Sequence, residues 1–329
     1  MTRRTGADGT GCPEPSRPPQ RPRGMTIMGV AGPAAVLLLV VALAGCAQRP
    51  VGAPPPTDAA PPPSAELPTD AGALVLRVEH VGGFVTPETT VGRIPGYSLY
   101  ADGRLITNGP VAAIYPGFAL PNLQVQHLGE AQVQELADRA LAAGVGETTD
   151  LGSPPVADMP STRFTLTTAD GTYVREVNAL AEYVGEGDAS ESGLTEEQRA
   201  GRARLRELMT ALFDVGQQLT PEGDLPVEPY VAESVAAILR PWTAPEEEIV
   251  PGMGTDVVPW PGPALPGEPL GPLPDLTCVT ASGDEAAAVL AAAGNATTLT
   301  AWDSPDGTRW SVAFRPLLPD ESGCADLTD

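Results

Sequence analysis

The placement of proline limits what this chain can fold into more than any other feature. Proline lacks a backbone N–H and fixes φ, so a dense run of it fits neither a helix interior nor the middle of a sheet. Two stretches are dense. Residues 47–72 read AQRPVGAPPPTDAAPPPSAELPTDAG, and residues 241–275 hold ten prolines in thirty-five. The first has almost no large apolar side chains and is expected to be a semi-rigid polyproline-II tether rising ~3 Å per residue. The second contains Trp242 and Trp260. A structureless segment of that length is uncommon inside a compact domain, so it is either a linker or an extended strap pinned by its tryptophans. Regular structure is left to residues 73–240, expected as an α+β domain, and to residues 276–329, a small C-terminal unit.

Residues 1–45 have a different character. Five arginines precede the apolar run IMGVAGPAAVLLLVVALAG at 27–45, and Cys46 follows it. A basic segment, an apolar segment and small residues after it make a secretory signal. Leu43-Ala44-Gly45-Cys46 matches the lipobox, and over these 46 residues the chain resembles bacterial lipoprotein precursors. The resemblance implies a diacylglyceryl group on the Cys46 sulfur, cleavage before Cys46, and residence on the outer face of the cytoplasmic membrane. An uncut signal anchor is the alternative. Translation from Met25 or Met28 would discard the basic residues.

Cleavage would remove five Arg, Asp8 and Glu14, leaving 14 basic residues, all Arg, against 40 acidic ones. That balance excludes nucleic acid as a partner, because phosphate contacts need a basic face. It also repels anionic lipid heads. The acyl chains would hold the protein to the membrane while its charge keeps the body off the bilayer.

Within the body, periodicity marks the elements. Leu74–Val81 alternates with period two and reads as a strand closed by Gly82-Gly83. Tyr97–Tyr100 and Arg104–Thr107 flank Asp102-Gly103, a hairpin signal. Leu123–Leu128 is a short strand, and Glu130–Ala143 is a helix with Val133, Leu136, Ala137, Ala140 and Leu141 on one face. A second hairpin spans 163–178 around Asp170-Gly171. Thr195 and Gln198 form a capping box, opening a helix with Leu205, Leu208, Met209, Leu212, Phe213 and Leu219 inward and Arg199, Arg202, Arg204 and Arg206 mostly outward. Val231–Leu239 is expected as a further strand. The tail reads β-α-β-β: a strand at 276–280, a helix at 286–293 capped by Ser282 and Glu285, and a hairpin of 297–302 with 309–315. The fold class is therefore α+β, two small units of antiparallel sheet packed with helices.

Chemistry-bearing motifs are few. Cys278 and Cys324 bracket the tail, and an even pair in an oxidising compartment implies a disulfide. Closing that loop is worth roughly 4 kcal/mol to a unit too small to rely on its core. His80 alternates with apolar residues on a strand, and His127 precedes a helix, so neither is read as a metal ligand. The acidic runs Glu186, Asp188, Glu191 and Glu246-Glu247-Glu248 lack EF-hand spacing and are read as solvated loops. No nucleophile motif and no phosphate loop occurs, so no catalytic residue, metal or cofactor is expected. Paired carboxylates of an envelope hydrolase stay open as an alternative.

Two resemblances cover the body. Residues 74–219 carry a strand ending Gly82-Gly83-Phe84, a helix with Leu136 and Leu141, the 163–178 hairpin and a closing helix with Leu205, Arg206, Leu208 and Leu212. That order resembles emfourin-type proteins, inhibitors of thermolysin-like metalloproteases. This chain departs from them by inserting 86–121 and adding a tail, so no inhibitory residue is carried over. The whole chain resembles uncharacterised actinobacterial lipoproteins, through the Pro-rich tether, Pro259-Trp260-Pro261, and Phe314–Glu321 before Cys324. The expected function is a non-catalytic binding module in the cell envelope with a protein partner, offering Trp242, Trp260 and Phe84 as apolar contacts.

Overall fold

A computed structural model describes residues 64–180, 192–217, 225–244, 256–271 and 275–328. Cys46, the acidic runs around Asp188 and Glu247, and most of the expected tether lie outside these residues. The fold is α+β, built on two sheets.

The first sheet has seven antiparallel strands: β1 (Leu74–Val81), β2 (Tyr97–Tyr100), β3 (Arg104–Asn108), β4 (Leu123–His127), β5 (Ser161–Thr168), β6 (Gly171–Asn178) and β7 (Glu228–Pro229). Their order is β6-β5-β1-β2-β3-β4-β7. Both tight hairpins form where Asp-Gly was read. Gly103 shows why the pair is needed: its φ is +89°, and a Cβ there would meet the Leu128 carbonyl oxygen at 2.3 Å.

Helices α2 (Glu130–Ala142) and α3 (Glu196–Gly216) cover one face of this sheet. Thr195 and Gln198 make the capping box: Gln198 N donates to Thr195 Oγ1 at 3.2 Å, and Thr195 N donates to Gln198 Oε1 at 2.9 Å. Leu205, Leu208 and Leu212 of α3 join Val133, Leu136 and Ala140 of α2 over Leu76, Val78, Phe164 and Leu166. Each such leucine removed from water contributes about 1.5–3 kcal/mol. Two expectations for α3 change. Phe213 faces solvent. Arg202 is buried, and its Nη2 donates to the carbonyls of Asn178 and Ala179 at 2.9 and 2.6 Å, where the chain leaves β6. A guanidinium can lie inside when backbone carbonyls receive its protons.

The tether meets the body earlier than residue 72. Ala65 is buried, its N–H donating to Asp138 Oδ1 at 2.7 Å, while the Glu66 carbonyl accepts from Ala169 N at 2.7 Å.

The second sheet runs β10-β11-β8-β13-β12-β9. Its strands are β8 (Ser234–Pro241), β9 (Val257–Pro259), β10 (Glu268–Pro269), β11 (Thr277–Ser282), β12 (Ala301–Asp303) and β13 (Arg309–Pro316). The β-α-β-β tail is present, with α4 (Gly283–Ala293) as its helix, but β8 lies between β11 and β13. The boundary expected at 240 thus falls inside a strand that pairs only with later elements. The physical reason is burial: Val235–Leu239 is buried throughout, which requires neighbours on both edges and cover on both faces. Ser282 is the N-cap of α4 but makes no side-chain cap bond, so the second capping box is not formed.

The Pro-rich 241–275 is partly a strap. Its β9 pairs in parallel with β12, and its β10 pairs with β11. Trp260 stands against Trp302 edge-on at 5.8 Å, and Phe314 meets Trp302 at 5.3 Å. Trp302 and Trp310 face each other across β12 and β13, as the hairpin reading implied. Cys278 and Cys324 form a disulfide with Cα atoms 6.0 Å apart.

The second face of the first sheet meets this second half. Leu318 packs with Tyr100, Ile106 and Val125. Asp320 accepts from Arg77 Nη2 at 2.8 Å and from the Tyr100 hydroxyl at 2.7 Å. The Tyr230 hydroxyl donates to the Leu317 carbonyl at 2.8 Å. Burial pushes the Tyr230 phenol up to about 12; burial and Asp320 push the Tyr100 phenol higher still.

Candidate interaction surface

Strand registers define one end of the first sheet. Val81 of β1 lies opposite Ser161 of β5, which lies opposite Asn178 of β6. Val78 lies opposite Tyr97, Tyr97 opposite Thr107, and Asn108 opposite Leu123. The connections 82–96 and 109–122 and the approach to β5 at 152–160 therefore all emerge at this end. Seven of the twelve exposed large apolar side chains among the described residues lie on them: Phe84, Val85, Val111, Ile114, Tyr115, Phe118 and Met159. Phe84 is 86% exposed and Val111 72%. A gathering of this kind at one place is the mark of a contact surface, whereas single exposed apolar residues are ordinary.

The loops that carry these side chains are pinned. Thr86 caps α1 (Pro87–Gly92), its hydroxyl accepting from Thr89 N. Arg93 Nη1 donates to the carbonyls of His80 and Gly82 at 2.8 and 3.1 Å, and Phe84 N donates to Asp158 O at 3.3 Å. At the base of the second loop Gly109 N donates to Asn122 O at 2.8 Å, and Asn122 Nδ2 donates to Pro110 O at 2.8 Å. The chain passes itself so closely there that a Cβ on Gly109 would sit 2.6 Å from Asn122 Nδ2. The returning limb is tied to the second half: Ala119 N donates to Ala296 O, and Thr298 N to Gly117 O. Ala119 and Leu120 join the second core, which leaves 111–115 outward on a fixed frame.

The electrostatics of the 109–122 loop differ from the rest of the molecule. Between Arg104 and Glu130 the chain carries no Arg, Asp or Glu, in a protein of formal charge −23. That run was the available signal for the 109–122 loop, whose apolar residues sequence reasoning missed because they follow neither period two nor period 3.6.

Of the residues expected to make contacts, only Phe84 belongs to this surface. Trp260 is 7% exposed, and its indole N–H donates to the Pro263 carbonyl at 2.6 Å. It serves the core, since a strap too rich in proline for regular structure must be held by a large side chain. Trp242 is half-buried, with the Arg309 guanidinium 5.7 Å from its ring centroid. Among the described residues no helix is long and apolar enough to cross a membrane. Comparison with protein-family models, with curated proteins and with solved structures finds no match.

Proposed function

We propose that this protein is a cell-envelope lipoprotein, lipidated at Cys46 and held on the outer face of the cytoplasmic membrane, whose α+β body is a non-catalytic interaction module. The observation that supports the interaction reading is the gathering of Phe84, Val111, Ile114, Tyr115 and Phe118 at one end of a sheet, on loops tied at base and limb. The partner is a protein with an apolar depression bordered by basic residues. The depression matches the exposed apolar side chains and the uncharged 109–122 loop, and the basic border matches the acidic body around them. Pinning lowers the entropy lost on docking, which is what an exposed loop must minimise to bind well.

Two measurements on the native host test this reading. Intact mass of the membrane-bound protein should begin at Cys46 plus a diacylglyceryl group; a mass retaining residues 1–45 defeats the anchor. A photo-crosslinker at position 115 of the full chain should capture a defined partner. Capture no better than from exposed Val174 defeats the surface.

A second reading uses the same loop. A segment pinned at both limbs and projecting between them is what a protease inhibitor presents, so the emfourin-like reading predicts inhibition of a thermolysin-like metalloprotease that Tyr115→Ser abolishes.

A further inference from the structure

A cleft of about 520 Å³ opens between the two halves, beside the 82–96 connection. Its floor is the outward face of β1 and β5, with Arg77, Glu79 and Arg163. Arg93 and Arg315 complete a set of four guanidiniums around one space, in a chain that has no lysine and a large excess of acid. Apolar walls face them: Val81, Val91 and Pro95 from the first half, Leu270 and Leu327 from the second. The volume is that of an ordinary small-ligand site.

The state of the hydrogen bonds decides what such a site can receive. The acids here are already occupied. Glu321 accepts from Arg315 Nη2 and from Leu318 N, both at 2.7 Å. Asp326 accepts from Ser322 N and Gly323 N, which hold its carboxyl below the usual range. Glu79 stands 3.8 Å from Arg163 Nη1. The donors are not all used. Arg93 gives only Nη1, to two backbone carbonyls, and has no carboxylate partner among the described residues. Arg315 is 2% exposed and its Nε has no hydrogen-bond partner among them. The N–H groups of Arg93 that meet no acceptor among the described residues leave room for one that a ligand brings. Burial lowers the Arg315 pKa, against the opposing pull of Glu321.

We propose that this cleft binds a small organic carboxylate bearing an apolar group: the spare N–H groups of Arg93 face the carboxylate, the buried Arg315 guanidinium stands behind the wall, and Val91, Leu270 and Leu327 cover the apolar part. Guanidinium N–H pairs match a carboxylate in shape as well as charge, which a lone ammonium would not. A short peptide with a free C-terminus has this chemistry. The wall carrying Leu327 belongs to the 3-10 helix Cys324–Leu327, which the disulfide staples to β11, so the second half holds its side of the cleft covalently.

The test is calorimetric titration of the full-length chain, purified in detergent, with acetyl-Leu-Ala, its carboxamide and inorganic phosphate. Saturable binding of the carboxylate is expected, with the carboxamide at least about tenfold weaker, because a charge-assisted hydrogen bond is lost. Arg93→Gln should weaken the carboxylate about tenfold. Because Arg93 also ties a loop, Thr90→Glu serves as a second variant: Thr90 is exposed at the rim, so the change leaves the fold alone and should weaken binding by repulsion. Equal affinity for carboxylate and carboxamide overturns the proposal, as does phosphate matching the peptide, which would leave an inorganic-anion site only. Absence of saturation, or wild-type affinity in both variants, overturns it as well.

Discussion

The two halves solve the same problem with different means. The first sheet is covered by two helices, and its core is a continuous field of leucine, valine and phenylalanine. The second has one helix longer than two turns packed on it among the described residues, α4, whose inward residues are Ala286, Val289 and Ala293. Alanines fill little space, so the second core rests on Trp260, Trp302 and Phe314 and on the Cys278–Cys324 bridge. Where a helix supplies bulk, a sheet needs no staple; where it does not, rings and a covalent link replace it.

That contrast can be broken by substitution, and the largest effect is expected in the second half. Trp302→Ala empties the centre of the ring cluster and should cost about 3–5 kcal/mol, read as loss of near-UV circular dichroism with the melting temperature. Leu205→Ala in the first half should cost about 2–5 kcal/mol. If both variants lower a single transition together, the halves fold as one unit and the seam at Asp320 is strong. If Trp302→Ala instead splits the melt in two, they are separable. Replacing Cys278 and Cys324 by Ser should cost about 2–4 kcal/mol, and a chemical-denaturation midpoint unchanged by reductant would remove the staple from the account.

The seam itself gives a smaller, pH-dependent effect. Tyr230 carries a phenol raised from 10.0 to about 12. Its contribution is therefore present in full below pH 10 and is lost as pH rises towards 12, because the folded state holds the proton more tightly than the unfolded chain. Tyr230→Phe should lower stability by about 1 kcal/mol and flatten that alkaline decline; a decline of unchanged steepness would place its origin elsewhere. Smallest of all, Phe84→Ser and Val111→Ser should change stability by less than about 0.5 kcal/mol while reducing the partner captured from position 115, since their side chains face solvent.

Local structure was legible and long-range order was not. The 161–178 hairpin and the Thr195 cap are written in neighbouring residues, through turn chemistry and short-range hydrogen bonds. The insertion of β8 between β11 and β13 is decided by partners some forty or more residues later, for which an apolar run carries no address. The site divides in the same way. Phe84, an aromatic after Gly-Gly, is exposed, whereas Trp260 is buried in the second core; a tryptophan among prolines reads alike whether it pins a strap or faces outward. The cleft needed arginines from β1, β5, β13 and the loop before β2, and only the folded order of strands brings them together.

The central position of β8 has a consequence for how the molecule is made. Strands β1 to β6 come from 74–178 and can pair as soon as they are synthesised. Strand β8 has no partner until β11 and then β13 exist, near the end of the chain. A chain interrupted before residue 309 would present Val235–Leu239 as an open apolar edge ready to pair with another copy. Completion of β13 is thus the step that turns an aggregation-prone intermediate into a closed sheet, so a chain ending after Pro316 should aggregate less than one ending before Arg309.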